Sequence, residues 1–179
     1  RARGGEPRRG SVPALRGLSL GAPRSRRRGD AEPLEEFLSP IADELAAGAI
    51  AEIEAQGATY ERVTVPGALE IPQVLAAAVG CGIIPRGAPS SRFCGAVVLG
   101  CVIRGETSHY DVVVDNANHW LMKIATGHRV PLGNGILTVD TSEQAFERAR
   151  GGRRGKGGDA ARACFSLIDI VRQFEGLGA

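Results

Sequence analysis

The feature that most constrains the fold is an apolar run near the middle of the chain, at residues 93–102. The run reads FCGAVVLGCV, and no charged residue interrupts it. Strands that are apolar on both faces are typical of parallel sheets, because helices then cover the sheet on each side. The sequence therefore predicts that this run is a buried strand of a parallel sheet.

Strand and helix patterns alternate on both sides of this run. Residues 60–65 and 130–139 have strand patterns, and the second contains the interruption Leu132-Gly133-Asn134-Gly135. Helical patterns occupy residues 39–57, 70–79, 108–127 and 142–150, and a last one follows a Gly/Arg/Lys loop at 151–158 and ends near 174. Alternation of this kind predicts an α/β domain with three layers, α/β/α, in which about four parallel strands have helices on both faces.

Two helix starts have specific signals. Ser39-Pro40 has the composition of an N-cap followed by proline at the first helical position. Thr141 and Gln144 have the spacing of a capping box, in which the two side chains bond each other's backbone N–H groups. We therefore expect helices to begin at these two sites.

The first 33 residues differ from the rest of the chain. Residues 1–29 contain nine Arg against one acid, and residues 1–33 show no apolar period. Such a segment buries too little apolar surface to offset its ordering entropy, so we expect residues 1–33 to be a disordered tail and 34–179 the domain. An organelle transit peptide, a mis-assigned start and a reading-frame artefact are alternative interpretations. Because no apolar strand precedes Phe37, the first strand of the sheet stays unassigned.

Charge and cysteine content exclude several classes of function. The net charge is +2, so residues 30–179 carry −6 once the basic tail is set aside, which argues against nucleic-acid binding by the domain. No apolar run reaches the roughly 18–20 residues of a membrane span. Four Cys and three His lack the spacing of a metal site, so we expect no metal and reduced thiols in a cytoplasm-like compartment.

Candidate functional residues follow the strands, where open α/β sheets bind their ligands. After the strand at 60–65, Gly67 and Ala68 let a ligand approach the backbone, and Glu70 stands at a helix start. A carboxylate there also has a structural explanation, because it interacts favourably with the helix dipole. Beyond the apolar run, Arg104 and the Thr107 hydroxyl could hold an anion beside His109, a side chain that titrates near neutral pH.

Further candidates lie in the last third of the chain. The glycines around Asn134 indicate either close contact or a β-bulge. Arg148 and Lys156 could meet an anionic substrate, and Asp159 could pair with Arg148 and orient it. The sequence has neither the GxxxxGK[ST] nor the GxGxxG pattern, so nucleotide binding of those types has little support.

Five blocks of sequence resemble the 6,7-dimethyl-8-ribityllumazine synthase family of riboflavin biosynthesis. They are VPGALEIP (65–72), GCVIRGETSHYD (100–111), LGNGILTV (132–139), EQAFERA (143–149) and GKGGDAA (155–161). They occur in the order and spacing of the family and extend over about residues 37–175. The resemblance implies a flavodoxin-like fold and a transferase that condenses 5-amino-6-(D-ribitylamino)uracil with 3,4-dihydroxy-2-butanone 4-phosphate, without metal or organic cofactor.

The resemblance also implies roles for individual residues. His109 matches the catalytic histidine, and Arg148 matches the arginine that binds phosphate, which leaves Arg104 a structural or intersubunit ion-pair residue. The remaining matches are substrate-binding positions: Ala68, Leu69 and Glu70 for the ribityl chain and pyrimidine, Cys101, Val102 and Ile103 for the uracil ring, Glu106 and Thr107 for the butanone phosphate, Asn134, and Lys156.

The segment before residue 40 departs from the family pattern. In the family an apolar first strand ends in an aromatic residue that stacks on the pyrimidine, and Phe37 falls on that position without such a strand before it. The resemblance further implies homo-oligomers, pentamers or multiples of pentamers, with active sites between subunits. Alternatives are a weakly catalytic member that forms a shell or scaffold, and a flavin- or phosphate-binding module. We expect a cytoplasmic protein, or a plastid one if the tail is a transit peptide.

Overall fold

The computed structural model describes residues 16–21, 34–84 and 92–177. Its strands are β1 (Arg16–Gly21), β2 (Thr59–Thr64), β3 (Gly95–Ile103) and β4 (Leu132–Val139). Its helices are α1 (Leu34–Ala55), α2 (Ile71–Gly80), α3 (His109–His128), α4 (Ser142–Ala149) and α5 (Lys156–Leu177), with a short 3-10 helix, Gly152–Arg154, before α5. The strands form one parallel sheet in the order β2-β1-β3-β4. The predicted fold class, with about four parallel strands, is confirmed.

Helices cover both faces of the sheet, and β3 supplies side chains to both cores. Val97 and Leu99 pack with residues of α1, α4 and α5 on one face. Ala96 and Val98 alternate with them and pack with residues of α2 and α3 on the other face. The prediction of a strand buried on both faces is therefore confirmed, and the alternation along β3 places the sheet between two helix layers.

The first strand lies upstream of the segment in which we expected order to begin. Residues 16–21 pair with β2 on one side and with β3 on the other, so the prediction that all of 1–33 is disordered is wrong for these six residues. The physical reason is tertiary: β2 and β3 each present a ladder of backbone donors and acceptors, and a strand between them satisfies both. Leu18 and Leu20 alternate as in a strand, but the run was too short to stand out. The rest of 1–33 lies outside the described residues.

Helix α1 begins before the predicted Ser39-Pro40 start. It starts at Leu34 and contains Pro40, so that prediction is wrong. The backbone of Phe37 consequently lies in the first turns of a helix, not at the end of a strand. Its side chain, on which the stacking prediction depends, lies outside the described residues.

The glycines of β4 allow α5 to approach the sheet closely. A Cβ atom on Gly133 would lie 1.9 Å from the carbonyl oxygen of Ala160, and one on Gly135 would lie 2.8 Å from Leu99. The register of β4 with β3 advances one residue at a time from Leu132 to Val139, so the bulge interpretation is wrong. Close contact is the correct interpretation, and the contact is with a helix of the same chain.

Candidate active site

The carboxyl end of β3 leaves part of its backbone without a strand neighbour. Pairing with β4 continues to Ile103, whereas pairing with β1 ends at Leu99. On the β1 side, then, no strand in the described part of the chain pairs with residues 100–103. Cys101, Val102 and Ile103 are half-buried there. The main-chain N–H and C=O groups that face the β1 side are suited to bond the polar edge of a planar ring, and their contact with the uracil stays a prediction.

The Cys101 thiol is not an activated nucleophile. Burial raises its pKa to about 11, since the charged thiolate is poorly solvated at this position. A thiol with this pKa stays protonated at neutral pH. Cys101 is therefore suited to contact a ligand through its backbone and its neutral side chain.

Arg104 holds the segment that connects β3 to α3. Its Nε donates to Asp140 Oδ1 at 3.1 Å, and its Nη1 donates to Asp111 Oδ1 at 3.3 Å. The guanidinium also lies over the Tyr110 ring, 4.0 Å from the ring centroid, and the backbone N–H donates to the Val139 carbonyl at 2.9 Å. The prediction of an ion-pair role is confirmed, with both carboxylates in the same chain.

This connection presents three predicted site residues to solvent. Glu106, Thr107 and His109 are all exposed. His109 is the first residue of α3, and its backbone N–H donates to Thr107 Oγ1 at 3.4 Å. The imidazole and the hydroxyl therefore share one short turn, where both can reach the same ligand.

The turn between β2 and α2 carries the other predicted pyrimidine contacts. Ala68, Leu69 and Glu70 are half-buried, and Glu70 occupies the N-cap position of α2. Its carboxylate makes no capping hydrogen bond. Instead, its Oε2 lies close to Gly67, and a Cβ atom on Gly67 would be 2.9 Å from this oxygen. The carboxylate thus stays available to a ligand, which weakens the purely structural explanation.

A groove between α2 and α3 adjoins this turn. Its volume is about 540 Å³. It is lined by Leu69, Pro72, Gln73, Ala76, Val112, Asn116, Trp120 and Ile124. Val112 and Trp120 are 51% and 46% exposed. We did not predict this groove from the sequence, although the chain's single Trp on an amphipathic helix was a signal for it.

Three predicted site residues do not join this group within one chain. Asn134 Nδ2 donates to Asn118 Oδ1 at 2.7 Å, in the middle of α3. Position 118 is nine residues from His109, which corresponds to roughly 13 Å along the helix. Asn118 was also missed, since an Asn within a helical pattern carries no specific signal.

Arg148 and Lys156 belong to helices on the other face of the sheet. Arg148 Nη1 donates to the Gln144 carbonyl at 3.1 Å within α4. The predicted Asp159–Arg148 pair is wrong, because Asp159 pairs with Arg162 and, at 3.4 Å, with Lys156. Helices α4 and α5 pack with α1, whereas α3, which begins with His109, packs with α2. One chain therefore separates the phosphate-binding candidates from the histidine.

The described residues contain no group of three or more His, Cys, Asp or Glu that could hold a metal ion. None of the described helices is both long and apolar enough to cross a membrane. At the end of β3 the chain offers the imidazole of His109 and the hydrogen-bonding groups of backbone and side chains.

Comparison with known proteins identifies the family. The family model for 6,7-dimethyl-8-ribityllumazine synthase matches residues 35–172, so β1 lies before the matched segment. A protein named 6,7-dimethyl-8-ribityllumazine synthase 1 from Rhodopseudomonas palustris is 47% identical over 137 residues, 76% of this chain and 82% of its own. The synthase of that name from Methylorubrum populi is 52% identical over 136 residues, 76% of this chain and 78% of its own. The chain belongs to the 6,7-dimethyl-8-ribityllumazine synthase family.

Proposed function

We propose that the protein condenses 5-amino-6-(D-ribitylamino)uracil with 3,4-dihydroxy-2-butanone 4-phosphate to form 6,7-dimethyl-8-ribityllumazine, with release of phosphate and water. The observation that carries this proposal is the site at the end of β3. There residues 100–103, which pair with β4 but have no strand neighbour on the β1 side, are followed closely by Thr107 and His109. A planar pyrimidine needs backbone groups that bond its edge, and a reactive ketone beside it needs a side chain that transfers protons.

In this proposal the pyrimidine is held mainly by backbone. Those N–H and C=O groups of the Cys101–Ile103 stretch that face the β1 side bond the uracil edge, and Glu70 with Ala68 and Leu69 holds the ribityl chain. Hydrogen bonds from fixed backbone groups orient the 5-amino group without reorganisation of the site. Orientation of two substrates in this way supplies a large share of the rate enhancement of a condensation.

His109 then transfers the protons. The 5-amino group attacks the ketone to give a carbinolamine, which loses water to form an imine. Loss of phosphate follows, and the ribitylamino nitrogen then closes the ring on the remaining carbonyl carbon with loss of a second water. Each step moves a proton, and an imidazole can both donate and accept protons. Glu106 and Thr107 contact the butanone phosphate, while Arg148 binds its phosphate and stabilises that group as it leaves.

We further propose that the active site is completed by a neighbouring subunit of a pentamer or a multiple of pentamers. The support is the separation of Asn134, Arg148 and Lys156 from His109 within one chain. A ring in which each subunit presents α4 and α5 to the next subunit's β3 end would bring the two groups together. The half-exposed Val112 and Trp120 offer apolar surface for such contacts.

We also propose a cytoplasmic location. Cys81, Cys94, Cys101 and Cys164 are all free thiols. Reduced cysteines are the usual state in the cytosol. A fractionation of source cells with an antibody against the protein would test this location.

Purified protein mixed with both substrates should raise lumazine absorbance and fluorescence well above the spontaneous rate. His109→Ala should lower kcat about a hundredfold, because the proton-transfer group is lost. His119→Ala is the matched control, since His119 is an exposed histidine of the same helix outside the site. Absence of any acceleration by the parent protein would contradict the proposal, and equal rates for both variants would contradict the role of His109.

A further inference from the structure

We infer that Glu52 is a positioning residue that anchors residues 150–155, the segment between α4 and α5, and thereby sets the place of Lys156 at the start of α5. The inference rests on the proposed function, in which Arg148 and Lys156 flank this segment and meet the phosphate substrate. Glu52 lies in α1, far from both in sequence. Its role is argued from the ionic contacts that it makes across the helix layer.

The Glu52 carboxylate is buried and fully engaged. The side chain is only 1% exposed. Its Oε2 accepts from Arg153 Nε at 2.9 Å and from Arg162 Nη1 at 3.0 Å, and its Oε1 accepts from Gln56 Nε2 at 3.0 Å. Two guanidinium groups from different elements, the 3-10 helix and α5, therefore converge on one oxygen atom.

The contacts continue from this oxygen to Lys156. Arg162 Nη1 also donates to the Arg153 carbonyl at 2.6 Å, and its Nη2 donates to Asp159. The other oxygen of Asp159 pairs with Lys156 Nζ at 3.4 Å. Glu52, Arg162, Asp159 and Lys156 thus form a continuous series of charged contacts.

The anchored segment is rich in glycine, so few of its side chains can make contacts. Gly151 and Gly152 adopt positive φ angles of 107° and 54°, and glycine lacks a side chain that could pack. The segment also lies against α1, where a Cβ atom on Gly48 would be 2.5 Å from the Gly152 carbonyl oxygen. The ionic contacts of Glu52 add directional side-chain bonds to this close backbone packing.

Stability alone does not explain an ionised carboxylate at this position. Burying a charge costs solvation free energy, and well-packed apolar residues often serve equally well in its place. What an apolar residue does not provide is directional attraction for Arg153 and Arg162. We therefore assign the ionic contacts to the geometry of the segment.

The test is Glu52→Leu, which fills the buried space but removes the acceptor oxygens. We expect the KM for 3,4-dihydroxy-2-butanone 4-phosphate to rise about tenfold, because small displacements of binding groups have effects of this size or larger. The KM for the pyrimidine should change less than about twofold, since the 68–70 and 101–103 contacts belong to the β2–α2 turn and to β3, and none of these residues bonds to Glu52 or its two arginine partners. Amide hydrogen exchange in 151–158 should become faster.

Three further variants separate positioning from folding. Glu52→Gln keeps one acceptor oxygen and should recover most of the lost affinity. Arg153→Gln removes a half-exposed donor, so it remains informative even if Glu52→Leu fails to fold, and should raise the same KM. Glu54→Leu, on the exposed side of α1, is the matched control and should leave both KM values unchanged.

The outcomes distinguish this inference from the proposed function. If Arg148→Ala and Lys156→Ala raise the KM for the phosphate substrate but Glu52→Leu and Arg153→Gln leave it unchanged, the positioning role is overturned. Equal increases in both KM values would also overturn it, because they indicate a general structural defect. If the parent protein forms no lumazine at all, the proposed function itself fails.

Discussion

Glu52 is the only buried charged side chain in the part of the chain that the structure describes. The hydrogen bond from Arg153, aided by Gln56 and Arg162, lowers its pKa from 4.5 to about 2, although burial acts in the opposite direction. An unfolded chain has no such contacts, and its Glu52 titrates near the ordinary value. Folding is therefore linked to the protonation state of this one side chain.

The linkage predicts how stability depends on pH. Between pH 4.5 and about 2 the unfolded state binds more protons than the folded state, so the Glu52 contribution is complete above pH 4.5 and is lost as pH falls to about 2. The difference in Tm between the parent and Glu52→Gln should be largest above pH 4.5 and should shrink across this window. Thermal denaturation from pH 7 to pH 2.5 measures it, and a constant difference would contradict the prediction.

At the scale of elements, the contacts between helices depend on glycine. Gly157 stands at the start of α5, and a Cβ atom there would lie 1.9 Å from the carbonyl oxygen of Leu45 in α1. Gly133 allows the same helix to approach β4 equally closely. Backbone-to-backbone contact of this kind has no room for a methyl group unless α5 moves as a whole.

We expect Gly157→Ala to lower the free energy of unfolding by about 1–3 kcal/mol, the usual cost of overpacking. Gly127→Ala is the control, because Gly127 lies in the last turn of α3 with nothing within 4 Å of its Cβ position. Alanine there should raise the free energy of unfolding by up to about 1 kcal/mol through helix propensity. Urea denaturation of both variants measures these changes. If the two variants have the same stability, the contact between α1 and α5 is not as close as described.

At the scale of the whole molecule, the proposed site requires residues that one chain keeps apart. Within a chain, Arg148 in α4 and His109 at the start of α3 belong to different helix layers. A neighbouring subunit in a closed ring can supply the missing residues. The proposal therefore predicts that the enzyme is active only as an assembly.

Mixed rings test this requirement. We expect His109→Ala and Arg148→Ala each to be impaired alone, but rings that contain both in equal amounts should recover about a quarter of parent activity, because random mixing leaves that share of interfaces intact. Co-expression, purification and sedimentation establish that the rings are mixed. If activity remains at the level of the single variants, His109 and Arg148 act within one chain.

Much of the architecture could be predicted from local patterns. The uncharged run at 93–102 predicted a strand buried on both faces, and β3 contributes Val97 and Val98 to opposite cores. Half of the predicted capping box is present: Thr141 Oγ1 accepts from the Gln144 N–H at 3.3 Å, whereas the Gln144 side chain accepts from the Asp140 N–H at 3.0 Å and not from that of Thr141. These features depend on residues that are close together in the chain, and for that reason they can be recognised without coordinates.

The sequence by itself thus determined the layered α/β architecture and, through its motifs, the family and the candidate residues on their loops. Only the tertiary structure decided where β1 lies, that Asp159 pairs with Arg162 and Lys156, and that Glu52 joins α1 to the segment before α5. These contacts join residues that are distant in sequence, or depend on competition among several charged partners. Neither kind of contact can be predicted from local composition, because both depend on packing that exists only once the sheet and its helices have assembled.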